Sequence, residues 1–410
     1  MPWDETDAMK ERVKFALEWE RRWKATHGGR IDMAELCRMF GVSAPTGYLW
    51  IARYRAAGHD LRALQERSRR PHSNPRAVAP HVEDFIVDAR KERPRWGARK
   101  LRAWLADRHP GRAWPSASCI ADILRRRGLA VPRRRRKRVV PLTQPFAACD
   151  RPNAVWCVDF KGWFRTADGE KCYPLTLIDA YSRYLLRCEG VVDPDGHRVQ
   201  RIFDSAFREF GLPTAIRSDN GPPFASTGAG GLTALNVWWL RLGIRLERIE
   251  PGKPQQNGRQ ERFHLTLKLD VPAERDLRAQ QRAFDLYRVD YNEERPHEAL
   301  GQKPPATAYQ RSRCTYPRPH MRVDVPAYCH RAAVDSKGAI RWQGRKIHIS
   351  HALALESVAL FPLDEERWEV SYGPVELGTI DDNRLDRGLI PSRPRRRRGS
   401  IAKLSLDQEV

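Results

Sequence analysis

Residues 154–192 read AVWCVDFKGWFRTADGEKCYPLTLIDAYSRYLLRCEGVV. Three runs within them, AVWCVDFKGWF, KCYPLTLIDAYSRY and LLRCEGVV, are rich in aromatic and β-branched residues and read as three successive strands. The pattern then changes period. VQRIFDSAFREF (199–210) has amphipathic helical spacing and stops at Gly211. TAIRSD is a short strand, LTALNVWWLRLG a helix, and IRLERIE another strand. NGRQERFHLTLKLD opens a last helix after a Gly/Pro-rich loop. Strand-strand-strand-helix-strand-helix-strand-helix predicts an α/β core over residues 151–312.

The flanks differ from this core. On the N-terminal side, residues 8–24 suit a helix, with Val13, Ala16, Leu17 and Trp23 among charges. MAELCRMFGVSAPTGYLWIARYR (33–55) places Ala34, Leu36 and Phe40 on one short face, broken by Gly41. Ser43 can cap the next helix with Pro45 in its first turn, and Leu49, Ile51 and Tyr54 offer buried positions. Helix, glycine turn and helix make a helix-turn-helix, predicted over 1–66, with Thr46 and Tyr48 as candidate DNA contacts. An ordinary helical hairpin is the competing reading.

RSRRPHSNPRAVAP (67–80) reads as a linker. A second helical unit is predicted over 81–131, marked by Trp96, Leu101, Trp104 and Leu105, then by WPSASCIADILRRRGL. Ser116 and Ser118 at the start of that helix, and Arg125, Arg126 and Arg127 at its end, are candidate DNA contacts. The arginines also complement a helix dipole, which is the plainer explanation. A basic linker (132–150) follows, where Arg133, Arg134, Arg135, Arg136, Lys137 and Arg138 stand between prolines. No core absorbs such a run; it reads as a phosphate-tracking strap, or else a nuclear-import signal.

Beyond the core, AIRWQGRKIHI turns at Gln343-Gly344, and SVALFPLDEERWEVSY turns around Asp364–Glu366. A small β-barrel or sandwich is predicted over 320–388, then a basic, disordered tail over 389–410. The whole is multidomain: N-terminal all-α units, a central α/β core and a C-terminal β-domain.

Bulk numbers agree with a polyanionic partner. The formal net charge is +23, the pI about 10.1, and residues 91–140 hold 17 Lys or Arg against 3 Asp or Glu. The eight cysteines form no CxxC pair, which argues against a zinc ribbon or a redox motif; they read as reduced thiols of a cytoplasmic protein. MPWDETDAMKER does not read as a signal peptide, and no apolar run reaches membrane-spanning length.

Three acids carry the chemistry. Asp159 sits in VWCVDF, inside an apolar strand, where a carboxylate needs a partner. Asp219 follows TAIRS at a strand end, where α/β sites gather. Glu261 lies one turn into a helix, with 41 residues between it and Asp219. A salt bridge, a turn-forming Asp and a favourable first-turn acid are their respective structural explanations. Together, two Asp and one Glu form a hard-oxygen set suited to magnesium. Two such ions ~3.5–4 Å apart can drive phosphodiester chemistry.

WCVDF, LIDAYSRY, AIRSDNGPPF, PGKPQQNGRQERFHLTLK and YNEERPHEALGQKPPATAY occur in this order. In them, residues 150–312 resemble the integrase catalytic core of bacterial insertion-sequence DDE transposases, of the retroviral-integrase superfamily. The resemblance implies a ribonuclease H-like core. It also implies Asp159, Asp219 and Glu261 as catalytic metal ligands, two Mg²⁺ ions (Mn²⁺ substituting), and Lys268 as a contact to the DNA end. Two departures stand out. The gap before Glu261 is longer than is usual, the surplus falling in ASTGAGG (225–231), and the often-basic position four past the Glu is Leu265, with His264 beside it. Asn220, Gln256 and Asn257 are candidates for orienting water or phosphate, or for capping the loop. Asp179 and the RPH at 295–297 read as structural.

The implied activity is binding of double-stranded terminal inverted repeats, cleavage at the 3′ ends, and attack of the freed 3′-OH on target DNA. Joining two ends calls for a homo-oligomer, at least a dimer. A DNA-binding regulator with an inactive core and a structure-specific nuclease are the rival classes.

Overall fold

The structure is a computed structural model describing residues 7–67, 77–130, 149–248, 258–317 and 323–392. It divides into two compact units, Met1–Ala77 and Val78–Val410.

The first unit holds α1 (Ala8–Ala25), α2 (Met33–Met39) and α3 (Ala44–Ala56). Each begins at a side-chain cap: Asp7 accepts from Met9 N, Asp32 from Ala34 N and Glu35 N, and Ser43 from Thr46 N. Gly41, with φ +62°, makes the turn between α2 and α3. The helix-turn-helix is therefore present, but its inward faces differ from expectation. Leu49 is 50% exposed, and the α3 positions that enter the core are Gly47, Ile51 and Tyr54. Gly47 decides this rotation. A Cβ there would meet Cys37 Sγ and Phe15, so α3 approaches its neighbours through the one residue lacking that atom. On α2 the buried residues are Met33, Leu36 and Cys37, while Ala34 faces solvent.

The second unit opens with α4 (Pro80–Glu92), α5 (Ala98–Arg108) and α6 (Ala117–Arg126). Ile86, Leu101, Trp104, Leu105, Ile120 and Ile123 form their core, as the periodicity of α5 and α6 predicts. Ser116 caps α6 by accepting from Cys119 N at 3.2 Å. This helical unit rests on the core that follows it. Trp104 Nε1 donates to Glu294 at 2.8 Å, and Arg108 pairs with the same carboxylate at 2.9 Å. Arg93 pairs with Asp290, and Arg95 reaches Asp270 at 3.4 Å.

The core contains β1 (Val155–Phe160), β2 (Phe164–Arg165), β3 (Lys171–Asp179), β4 (Leu185–Val191), α7 (Gly196–Phe210), β5 (Ala215–Ser218), α8 (Ala234–Arg241), β6 (Arg245–Arg248), α9 (Gly258–Asp270) and α10 (Leu277–Val289). β3 pairs antiparallel with both β4 and β1, and β1–β5–β6 run parallel. Across the sheet the order is β4-β3-β1-β5-β6, with the short β2 paired to β3. This is a ribonuclease H-like sheet. Its two faces are separately packed. Trp156, Val158, Leu175 and Leu177 meet Phe203, Phe207 and Trp239 of α7 and α8. Cys172 and Ile178 meet Phe263, Leu267, Phe284 and Tyr287 of α9 and α10. The core does not stop at residue 312: Leu212 N donates to Cys314 O, and Tyr316 packs beside Phe207.

The C-terminal strands are β7 (His330–Ala333), β8 (Ala339–Trp342), β9 (Arg345–His348), β10 (Ser357–Pro362), β11 (Arg367–Tyr372), β12 (Val375–Asp381) and β13 (Ile390–Pro391). They form an antiparallel sheet, β13-β12-β11-β10-β7, and a hairpin, β8–β9, around one core. The Gln343-Gly344 turn joins that hairpin, both residues at positive φ. The fold reaches Pro391: Ile390 and Pro391 belong to the sheet and Leu389 packs against its core, so 389–391 are not a tail. The rest of the basic tail, from 393, lies outside the described residues.

The glycine-rich 225–231 segment has a structural use. Ala229 and Leu232 share a core with Val358, Leu377 and Ile380 of the β-domain. Gly230, at φ +60°, passes so close that a Cβ would stand 2.9 Å from Leu377 and Val375. Arg248 clamps the segment by donating to the carbonyl oxygens of Gly230 (3.0 Å) and Gly231 (2.8 Å). The residues that lengthen the gap to Glu261 thus build the seat of the β-domain.

Candidate active site

β1 is apolar on both faces because both are covered. Trp156 and Val158 enter the α7/α8 core, so Asp159 must point to the α9/α10 side. It is 8% exposed. Its antiparallel partner in β3 is Thr176. Thr176 Oγ1 donates to the Asp159 carbonyl oxygen at 3.2 Å and shares a 2.8 Å hydrogen bond with His264 Nε2. His264 Nδ1 lies 3.9 Å from Asp159 Oδ2. Burial, and then the Lys161 charge, push this imidazole down to about 4, so it is neutral near pH 7. His264 is therefore a buried neighbour of the first acid and does not replace the absent basic residue at 265. Leu265 itself is 57% exposed.

The second acid is set by strand register. Val155 faces Ala215 and Cys157 faces Arg217 in the parallel β1–β5 pair. Because the strands run parallel, Asp219, directly after β5, follows at the same end of the sheet as Asp159 near the end of β1. Asp219 is the first residue past β5, and it accepts from Gly221 N at 3.2 Å, closing the DNG turn. Phe224, 1% exposed, anchors the far end of this turn against Phe160 and Trp239. Burial holds the Asp219 carboxyl above its ordinary range, against the opposing Gly221 N–H. Arg217, on the same face, donates to Glu247 of β6 at 2.8 and 3.1 Å.

Glu261 is in the first turn of α9 and is exposed. It lies three residues before His264, so one helix face carries both. Among the described residues, no group of three or more His, Cys, Asp or Glu is gathered tightly enough to hold a metal ion. The two aspartates lie at the same end of the parallel β1–β5 pair, and the helix bearing the glutamate approaches the first of them through His264. Glu261 follows closely on residues 249–257, which include Gln256 and Asn257 and lie outside the described residues. The donor set is all hard oxygen, and Asp219, raised by burial, would be relieved by a cation.

Lys268 is exposed on α9. It lines a cavity of about 180 Å³ together with Lys161, two residues past Asp159 on β1. Burial and the Lys268 charge both push Lys161 below the ordinary lysine range. Sequence reading missed Lys161, although its even spacing from Asp159 on a strand marks it as sharing that face.

The other candidates are mostly occupied within the protein. Arg126 and Arg127 both pair with Glu83 of α4, at 2.8 and 3.2 Å, and Arg125 pairs with Asp122 at 2.5 Å. Thr46 Oγ1 lies 2.8 Å from Ser43 Oγ, and Ser118 Oγ 2.9 Å from Ser116 Oγ. Tyr48 is 58% exposed. Arg133 to Arg138 lie outside the described residues. Asp179 is buried and accepts from Asn153 N, Ser182 N and Ser182 Oγ, a structural use. Arg295 of the RPH stretch ties to Asp270 at the end of α9 at 2.7 Å. All eight cysteines are free thiols.

Residues 150–254 and 242–305 match two Integrase core domain families, and residues 46–124 match a Homeodomain-like domain. The uncharacterized 31.7 kDa protein of insertion element IS407, from Burkholderia multivorans, is 33% identical over 240 residues, 57% of this chain and 82% of that protein. The chain belongs to the bacterial insertion-sequence transposases with an integrase-type core. The transposase is also 33% identical over 177 residues to the 39.2 kDa protein of IS476 from Xanthomonas euvesicatoria, covering 42% of the chain and 49% of that protein. Among solved structures, the HTLV-2 integrase catalytic core in complex with magnesium aligns at 15% identity with a TM-score of 0.29. That match covers 39% of the transposase and 99% of the integrase core. The transposase is an enzyme of the polynucleotidyl transferase type acting in DNA transposition and integration, and DNA is its partner. Its core family works with divalent metal ions. Among the described residues, no helix is long and apolar enough to cross a membrane.

Proposed function

We propose that this transposase binds the terminal inverted repeats of its element, cleaves at their 3′ ends and joins those ends to target DNA. Asp159, Asp219 and Glu261 serve as its catalytic acids. The observation that supports this reading is that β1, which carries Asp159, pairs in parallel with β5, which Asp219 directly follows. Burial raises the Asp219 carboxyl, and a cation held there would offset that cost.

The three carboxylates would hold two Mg²⁺ ions, with Mn²⁺ substituting; the ions, when bound, supply charge stabilisation and activation of the attacking oxygen. The protein's part is placement. β1 fixes Asp159, the DNG turn after β5 limits Asp219, and His264 with Thr176 restrains the Asp159 side. Lys268 grips the DNA end. The two helical units read terminal-repeat DNA, with Thr46 and Tyr48 in the first and Ser116, Ser118 and Arg125–Arg127 in the second. Arg133–Arg138 track phosphates between the second unit and the core. Release of Arg126 and Arg127 from Glu83 accompanies that contact. The assembly on DNA is a dimer or larger, acting at the bacterial nucleoid.

The test replaces Asp159→Asn, Asp219→Asn and Glu261→Gln singly. Strand transfer disappears in each, while terminal-repeat footprints persist. Retained joining in any one variant removes that residue from the site.

A further inference from the structure

We propose that Lys161 and Lys268 form a two-lysine site for one DNA backbone phosphate, with the cavity between them receiving the adjoining sugar. This rests on the proposed DNA-joining function and assigns a substrate contact that the acid triad does not supply.

Lys161 and Lys268 line the same cavity of about 180 Å³, and its other described walls are apolar, among them Phe164, Pro174, Leu267 and Phe284. Among the described residues neither lysine forms an ion pair. Two like charges converging on an apolar hollow repel each other, and the arrangement is stabilised only when an anion sits between them. The volume suits a phosphate with part of a sugar and is small for a whole drug-sized ligand.

Position selects a DNA phosphate over other anions. Lys161 is two residues from Asp159 on one strand face, and Lys268 is one helical turn past His264, which touches Asp159. A phosphate held there belongs to the strand whose neighbouring linkage lies at the acids. The surface beside it has nucleic-acid character. Trp163 is 54% exposed, with Lys171 Nζ at 4.9 Å and Arg165 Cζ at 5.8 Å from its ring. An exposed indole flanked by cations offers a stacking platform on a basic track.

The experiment measures binding of the full-length protein to a random-sequence 30-base-pair duplex between 50 and 200 mM salt, because phosphate contacts carry no sequence information. Loss of one phosphate contact lowers the log–log salt slope by about 0.9. Lys161→Gln therefore loses about 3.5-fold less affinity across that range than wild type. Lys161→Arg keeps the wild-type slope. The double variant Lys161→Gln/Lys268→Gln shows no more slope loss than either single variant, since both lysines serve one phosphate. Circular dichroism confirms that each variant folds. An unchanged slope in Lys161→Gln, or slope losses that add in the double variant, overturns the shared site. The measurement requires no catalysis. Loss of joining activity as an explanation for the acids would leave this result standing, and an absent slope change would leave the acid triad standing.

Discussion

His264 Nδ1 lies 3.9 Å from Asp159 Oδ2, and its other ring nitrogen is bound to Thr176. β1, which carries Asp159, and the helix carrying Glu261 are thereby tied by a side chain whose ring is held neutral. His264→Ala leaves Asp159 without that wall and weakens apparent Mg²⁺ affinity about 10–100-fold, by analogy with groups that orient metal ligands. Mg²⁺ titration of end cleavage measures it. Thr176→Val acts in the same direction, and the two changes together cost less than their product.

His297 gives the core a built-in acid sensitivity. Burial, followed by Lys100, Arg295 and Arg183, pushes its imidazole from 6.5 down to about 3. Its Nε2 is buried without a hydrogen-bond partner. Above pH 6.5 neither the folded nor the unfolded imidazole is charged. Below that, the unfolded chain takes up a proton that the folded site refuses. Stability is therefore full above 6.5 and falls by about 1.4 kcal/mol per pH unit on the way down towards 3. Urea denaturation at pH 7.5 and 5.5 shows the drop in wild type and a smaller one in His297→Gln.

Glu294 holds the second helical unit to the core through Trp104 and Arg108. The Arg108 hydrogen bond, then that of Trp104, keeps its carboxyl below the ordinary range. Its contribution is present above the ordinary carboxylate range and is lost as pH falls through the lowered value. Trp104→Phe keeps the ring packing and removes the donor, costing about 1 kcal/mol. Glu294→Gln costs a similar amount. A double-mutant cycle on thermal unfolding gives strong coupling between the two positions.

Gly230→Ala unseats the β-domain. A methyl group there must adopt φ +60° and meet Leu377 and Val375 at 2.9 Å. Together these cost about 1–3 kcal/mol. Gly228→Ala is the control: its φ is −73° and the nearest atom to a Cβ is 3.4 Å away. Thermal melts separate the two, with Gly228→Ala within about 0.5 kcal/mol of wild type.

Much of the core was readable because its strands and helices carry strong local patterns. Asp159 and Asp219 were identifiable as candidates, and strand periodicity alone put Val158 and Phe160 on the face opposite Asp159. The parallel pairing of β1 with β5 was not readable, since it is fixed by contacts between segments far apart in sequence. Helix faces were misread where a small residue set the approach: Gly47, rather than Leu49, turns inward. The arginines at 125–127 show the limit of charge patterns. A basic turn looks the same in sequence whether it meets phosphate or Glu83. His264 meets Asp159 through a helix-to-sheet contact that no local spacing announces, whereas the even spacing of Lys161 from Asp159 was legible and overlooked.

The seat at Gly230 also joins two folds into a single lever. The DNG turn that carries Asp219 ends at Phe224, and the next residues lead directly into the ledge under the β-domain. Arg248, at the end of β6, pins that ledge from the sheet side. A change at Gly230, Leu377 or Val375 therefore reaches the loop that carries Asp219 along one continuous stretch of packed chain.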